Sequence, residues 1–200
     1  QQKIASFFTA IDTKISQLKQ KKSLLEQYKK GVMQKIFSQE LRFKDDNGQE
    51  FPEWEKKRLG DCLDYLQPTK FIVKNTEYDD SFSTPVLTAG KSFILGFTDE
   101  EENTYSSPLP VIIFDDFTTS SQFVDFAFKV KSSAIKILVS KESVDIRFMY
   151  EALNAIRYEV GGHERHWISK FAPLEIELPS ELEQQKIANF LSSIDNKINH

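Results

Sequence analysis

The stretch QQKIASFFTAIDTKI at residues 1–15 returns as QQKIANFLSSIDNKI at residues 184–198, with ten of fifteen positions identical. An offset of 183 residues lies far outside the roughly 20–50-residue period of a solenoid, so the repeat brackets a whole globular body between two copies of one helix. A catalytic domain rarely needs one helix on both flanks, whereas a protein that presents similar modules at a fixed separation does. The second copy stops at His200, while the first runs on to about Ser38. The chain therefore reads as cut from a longer protein or encoded by a truncated gene.

Along the first copy, Ile4, Ile11, Leu18, Leu25 and Val32 recur every seven residues, with Phe8, Ile15 and Ile36 four positions after members of that series. Alternating four- and three-residue steps put these side chains on one stripe, the seam of a coiled coil. Lys22 and Lys29 interrupt it. Polar seam positions weaken packing but fix register, so the expected partner is a specific helix, and the arm spans roughly 55 Å at about 1.5 Å per residue. The same seam in both copies predicts antiparallel pairing of the arm with its repeat or with a second copy of itself.

Residues 1–36 carry eight lysines against Asp12 and Glu26, a balance of +6 that leaves −10 on the other 164 residues. A basic arm on an acidic body suits phosphates or an acidic partner, and equally a solvated lysine face. Cys62 is alone, so neither a disulfide framework nor an all-cysteine metal site forms, which fits a reducing compartment. No apolar run approaches the roughly 18 residues of a membrane span and no export signal is visible, so a cytoplasmic protein is expected.

The body begins after the turn signal Asp45-Asp46-Asn47-Gly48. Apolar and β-branched runs at 71–73, 84–88, 111–114, 123–128, 134–139 and 174–178 read as strands. Ile146, Met149, Leu153 and Ile156 keep helical spacing behind Ser143, an expected N-cap, and Ser180 with Glu183 forms the capping-box pattern of the second helix. The expected class is α+β, a mixed, strand-rich globular body with a long coiled-coil-forming arm. Its divisions are 1–38 for the arm, 39–180 for the body and 181–200 for the start of the second helix.

Catalytic signatures fail on spacing. Gly90-Lys91-Ser92 resembles the end of a phosphate loop, but Pro85 stands where the first glycine belongs. His163-Glu164-Arg165-His166 is one residue short of H-E-x-x-H, no further ligand cluster accompanies it, and Asp115-Asp116 reads as a solvated turn. No metal, cofactor or catalytic residue is expected. What remains are loops rich in groups that bond to bases and phosphates: Lys91, Thr118, Thr119, Ser120, Ser121, Gln122, His163, Arg165, His166 and Trp167.

The string EQQKIA with F-x-x-x-I-D-x-K-I, followed by the lysine-rich seam to Gly31-Val32-Met33-Gln34-Lys35-Ile36-Phe37, resembles the helical region of type I restriction–modification specificity (S) subunits. Trp54…Leu59-Gly60-Asp61, the run from Phe114 to Ser120, the run from Phe128 to Ala134 and Leu178-Pro179 are similar to that family's target recognition domains. The resemblance implies central helix, second recognition domain and start of the distal helix. It further implies a non-catalytic subunit that reads half of a bipartite double-stranded DNA target and docks methyltransferase and restriction subunits, with a second S unit joined through antiparallel helices or a second copy of the chain joined in the same way as a homodimer. Two other readings stand beside it: a coiled-coil adaptor whose body binds protein without DNA specificity, and an enzyme built on His163, His166 and the Asp115-Asp116 pair.

Overall fold

The computed structural model describes residues 2–88, 92–159 and 164–199. The seam forms one helix, α1 (Gln2–Phe37), which ends as Gln39 takes a left-handed φ of 59° and Leu41 N–H bonds back to the Lys35 carbonyl. This is a C-terminal cap in which a left-handed residue turns the chain out of the helix. The turn after it forms as expected: Gly48 has φ 79°, and Asp45 Oδ1 accepts from the N–H groups of Asn47 and Gln49.

The body has β1 (Glu55–Arg58), α2 (Leu59–Cys62), β2 (Leu63–Leu66), β3 (Thr84–Leu87), β4 (Ile94–Thr98), β5 (Val111–Asp115), β6 (Ser121–Val124), β7 (Lys129–Val130), β8 (Ile135–Ser140), α3 (Ile146–Ala155) and β9 (Glu175–Leu178). The second copy of the repeat is α4 (Glu181–Asn199). An antiparallel sheet in the order β2-β8-β5-β6 forms the middle layer. Alternation divides its side chains between two cores. Ile112, Phe114 and Leu138 face α3, α4 and the end of α1, while Val111, Ile113, Ile135 and Ile137 face the smaller β4-β3-β7 sheet together with Leu87, Phe128 and Val130. Cover on both faces explains why β5 reads as an unbroken apolar run. A separate ribbon pairs β1 with β9 antiparallel.

Several expectations are corrected. The 71–73 run is a 3-10 turn, Pro68–Phe71, followed by a single bridge from Ile72 to Val130. Residues 123–128 hold strand only to Val124. The strands β1, β2, β4 and β7 were not foreseen; Glu-Lys-Lys-Arg in β1 is charged and exposed, and only its pairing with β9 makes it a strand. Asp145, not Ser143, caps α3 by accepting from Phe148 N–H at 2.7 Å; Ser143 itself sits at φ 60°. No capping box opens α4: the Glu183 carboxylate is buried against Arg42 (2.9 Å) and Trp54 Nε1 (3.0 Å), so it cannot return to the helix start. Trp54 thereby ties the entry of the body to α4.

Candidate nucleic-acid interface

At the end of β5, Asp115 and Asp116 each organise one loop, which corrects the expectation of a solvated turn. Both are buried. Asp115 closes its own hairpin: Oδ1 accepts from Phe117 N–H at 2.9 Å, Oδ2 from Thr118 Oγ1 at 2.5 Å, and its backbone bonds to Ser120 and Thr119. Thr119 adopts a left-handed φ of 62°, so the turn has one tight shape, with Thr118 and Ser120 exposed and Thr119 half-buried. Gln122 is exposed on β6.

Asp116 turns the other way. Its Oδ1 accepts from the N–H groups of His166 (3.0 Å) and Trp167 (2.8 Å), while Oδ2 lies 3.4 Å from Lys136 Nζ and 3.5 Å from Arg165 NH1. Arg165 also donates to the Ser133 carbonyl at 2.9 Å, and its guanidinium carbon stands 5.4 Å from the Phe117 ring centre. A hollow of about 380 Å³ beside it is lined by Gln67, Asp116, Ser133, Lys136, Ile168 and Ser169. The contacts join the hairpin at 115–120 to the segment at 164–169 through the 131–134 loop.

The β3–β4 hairpin opens at the same end. β3 and β7 run parallel, Lys131 N–H bonds to the Leu87 carbonyl, and Thr88 N–H bonds to the Phe93 carbonyl across the hairpin tip. Because the two strands run parallel and in register, they finish at the same end of the sheet, so residue 88 and residues 131–133 emerge together. Lys91 and His163, both expected to contact a ligand, lie outside the described residues.

Three further expected contacts are seated in the interior, a correction. Ser121 is buried with its hydroxyl toward Asn154 on α3; His166 is buried with Nδ1 3.1 Å from the Asp116 carbonyl; Trp167 is buried edge-on to Phe114. In sequence they were indistinguishable from exposed loop residues. The direction of β6 and a single π-helical turn at Trp167–Phe171 decide which way they point. Ser133 and Lys136 were not among the expected contacts, and Asp116 was read only as a solvated turn or as part of the enzyme alternative; the runs from Phe114 to Ser120 and from Phe128 to Ala134, already similar to recognition domains, were the available signal for Asp116 and Ser133.

The helical surface divides in two. Ile36 is fully buried and Val32 partly so, both packed with Ile187, Leu191 and Ile194 of α4, while Leu25 is half-buried. Lys29 anchors this end: its Nζ lies 3.0 Å from Glu151 and 2.7 Å from Asp195, and Arg147 reaches Asp195 at 2.5 Å. Burial raises the pKa of Glu151, countered by the nearby Lys29. The other half of the seam, Ile4, Phe8, Ile11, Ile15 and Leu18, is exposed. Among the described residues no group of three His, Cys, Asp or Glu side chains is placed to hold a metal ion, and no helix is long and apolar enough to cross a membrane.

Residues 52–200 match the family described as the type I restriction modification DNA specificity domain. The specificity subunit of the type I restriction enzyme EcoR124I/EcoR124II from Escherichia coli is 47% identical over 126 residues, which are 60% of this chain and 31% of that protein. The crystal structure of a type I restriction–modification S subunit from M. genitalium superposes with a TM-score of 0.74 at 14% identity, over 98% of this chain and 54% of the other. An HsdS subunit from Thermoanaerobacter tengcongensis gives a TM-score of 0.55 at 15% identity, over 95% of this chain and 49% of the other. At those identities the likeness is one of fold. The chain thus spans about a third of its curated relative and about half of the solved subunits. With three quarters of its length inside the family's pattern, this chain belongs to the type I restriction–modification DNA specificity family.

Proposed function

We propose that the chain is the part of a specificity subunit that reads one half of a bipartite DNA target and is itself non-catalytic, working in the cytoplasm. The observation that carries this is the ridge where Thr118, Ser120, Gln122 and Arg165 emerge beside the 131–133 loop on two buried carboxylates. Hydroxyls, an amide and a guanidinium held on a strand and on ordered loops are the groups that read base edges. Net acidity of the body does not oppose this, since a partner can supply phosphate contacts.

The helices are proposed to dock methyltransferase subunits, with a restriction subunit completing the assembly, and to pair with a second recognition unit. Support for the pairing comes from the register of α1 and α4. Lys29 of α1 meets Asp195 near the end of α4, and Arg42, five residues past the end of α1, meets Glu183 at the start of α4, so the two run antiparallel. Subtracting the 183-residue repeat offset from Asp195 gives Asp12. A second unit would then set its own equivalent of Lys29 against Asp12, with Ile4, Phe8, Ile11 and Ile15 in the places that Ile187, Leu191, Ile194 and Ile198 hold here. The acidic body favours one other reading, an adaptor that binds protein alone.

Exchanging residues 39–180 for the body of another family member, with both helices retained, tests the division of labour. Methylation mapping of cells carrying the complete system is expected to show methylation continuing at a changed half-site. An unchanged half-site would remove the body from DNA reading and leave the adaptor.

A further inference from the structure

Arg165 is half-exposed, yet its guanidinium is constrained on one edge and one face. NH1 donates to the Ser133 carbonyl at 2.9 Å, NH2 faces Ser133 Oγ at 3.4 Å, and the Phe117 ring lies against it. Its Nε makes no hydrogen bond among the described residues. A mobile arginine suits a phosphate, whereas a guanidinium plane held in place suits an acceptor pair of fixed geometry such as guanine O6 and N7.

Asp116 is what holds that plane's backbone. One carboxylate oxygen fastens the N–H groups of the two residues that follow Arg165, and the other faces Arg165 NH1 and the buried Lys136. Its own N–H bonds to the Ala134 carbonyl, next to the Ser133 that receives Arg165. Asp116 is therefore bonded to both segments that define where the guanidinium sits. A buried carboxylate with four such partners does more than stabilise a turn, because the neighbouring Asp115 already closes the hairpin.

We infer that Asp116 is a positioning residue for specificity, aiming Arg165 at one guanine of the half-site. This rests on the DNA-reading function proposed above. Asp116→Asn alone would leave Lys136 buried without a counter-charge, so the informative variant is Asp116→Asn with Lys136→Met, which keeps the oxygen that binds the two N–H groups and removes both buried charges. The chain, assembled with its methyltransferase subunits, is bound to a library of randomised DNA duplexes and the bound fraction is sequenced. Arg165→Ala is expected to lower discrimination for guanine at one position by about five- to 150-fold. The double variant is expected to lower it at that same position by a smaller factor while the other positions keep their preferences. Relaxation with Arg165→Ala but none with the double variant overturns the positioning role and leaves DNA reading intact. A loss by the double variant spread over every position, with a lower melting temperature, makes Asp116 merely structural. Uniform weakening by Arg165→Ala makes Arg165 a phosphate contact and overturns the guanine assignment itself.

Discussion

Ile4, Phe8 and Ile11 on the first half of α1 are 63%, 59% and 37% exposed, whereas their repeat mates Ile187, Leu191 and Ile194 on α4 are 0%, 0% and 4% exposed. The two segments share most of their residues and both are helices. What differs is the presence of a second surface. α4 packs against both the end of α1 and α3, where Phe148, Met149 and Ala152 complete a core, while the first half of α1 extends beyond its own body. An amphipathic stripe thus specifies a helix and a face but not what covers the face. On the pairing proposed above, the exposed copy is one half of an interface, and Asp12 stands at the repeat position that Asp195 occupies against Lys29.

The contrast is broken most directly by placing one charge in each copy. Leu191→Asp is expected to cost more than about 4 kcal/mol, because it buries an unpaired carboxylate in the core, and to abolish cooperative unfolding. Phe8→Asp is expected to stay within about 0.5 kcal/mol in thermal denaturation of the isolated chain. Equal losses at the two sites would mean that the first half of α1 is covered after all.

A smaller difference should separate the two lysines of the seam. Lys29→Met leaves the Glu151 carboxylate buried with only Arg147 nearby, at an expected cost of about 3 kcal/mol. Lys22 is exposed, and Lys22→Met is expected within about 0.5 kcal/mol. Denaturant titration of both variants reads the gap. If Lys22→Met proves as costly, Lys29 is not distinguished by its place at the α1–α3–α4 joint.

The smallest effect concerns pH at that joint. Burial raises the Glu151 pKa, with Lys29 and Arg147 opposing the rise and Asp195 adding to it. For a group whose folded pKa exceeds its unfolded value, the associated stability is present below the unfolded pKa and is lost as pH rises through the folded one. Glu151→Gln, which resembles the protonated acid, should therefore match the unmodified chain in acid and become the more stable of the two above the ordinary carboxylate range. Melting temperatures of both proteins across that range test the sign, and a variant less stable at neutral pH would show that the ion pairs outweigh the burial.

The candidate interface was legible only in outline. Thr118, Ser120, Gln122 and Arg165 are exposed, yet Ser121, His166 and Trp167 in the same segments face the interior. Composition identifies a loop rich in binding groups, but the direction of each side chain follows from strand register and turn type. Asp115 and Asp116 show the limit most clearly. Adjacent carboxylates after a strand suggest water; Asp115 is buried because its own hairpin supplies Phe117 N–H and Thr118 Oγ1, and Asp116 because backbone N–H groups and Lys136 arrive from segments up to fifty-one residues away.

By itself the sequence determined the arm, its heptad stripe, the bracketing of one body by two like helices, the α+β class and the central apolar strands. Those properties rest on local periodicity and on a repeat visible in one dimension. Only the tertiary structure decided that β1 is a strand, that Glu183 pairs with Arg42 instead of capping α4, and that Lys29 joins Glu151 and Asp195. It also decided which copy of the repeated helix is buried. Pairing, burial and ion contacts join residues distant in the chain, and their energies exist only once the fold has brought those residues together.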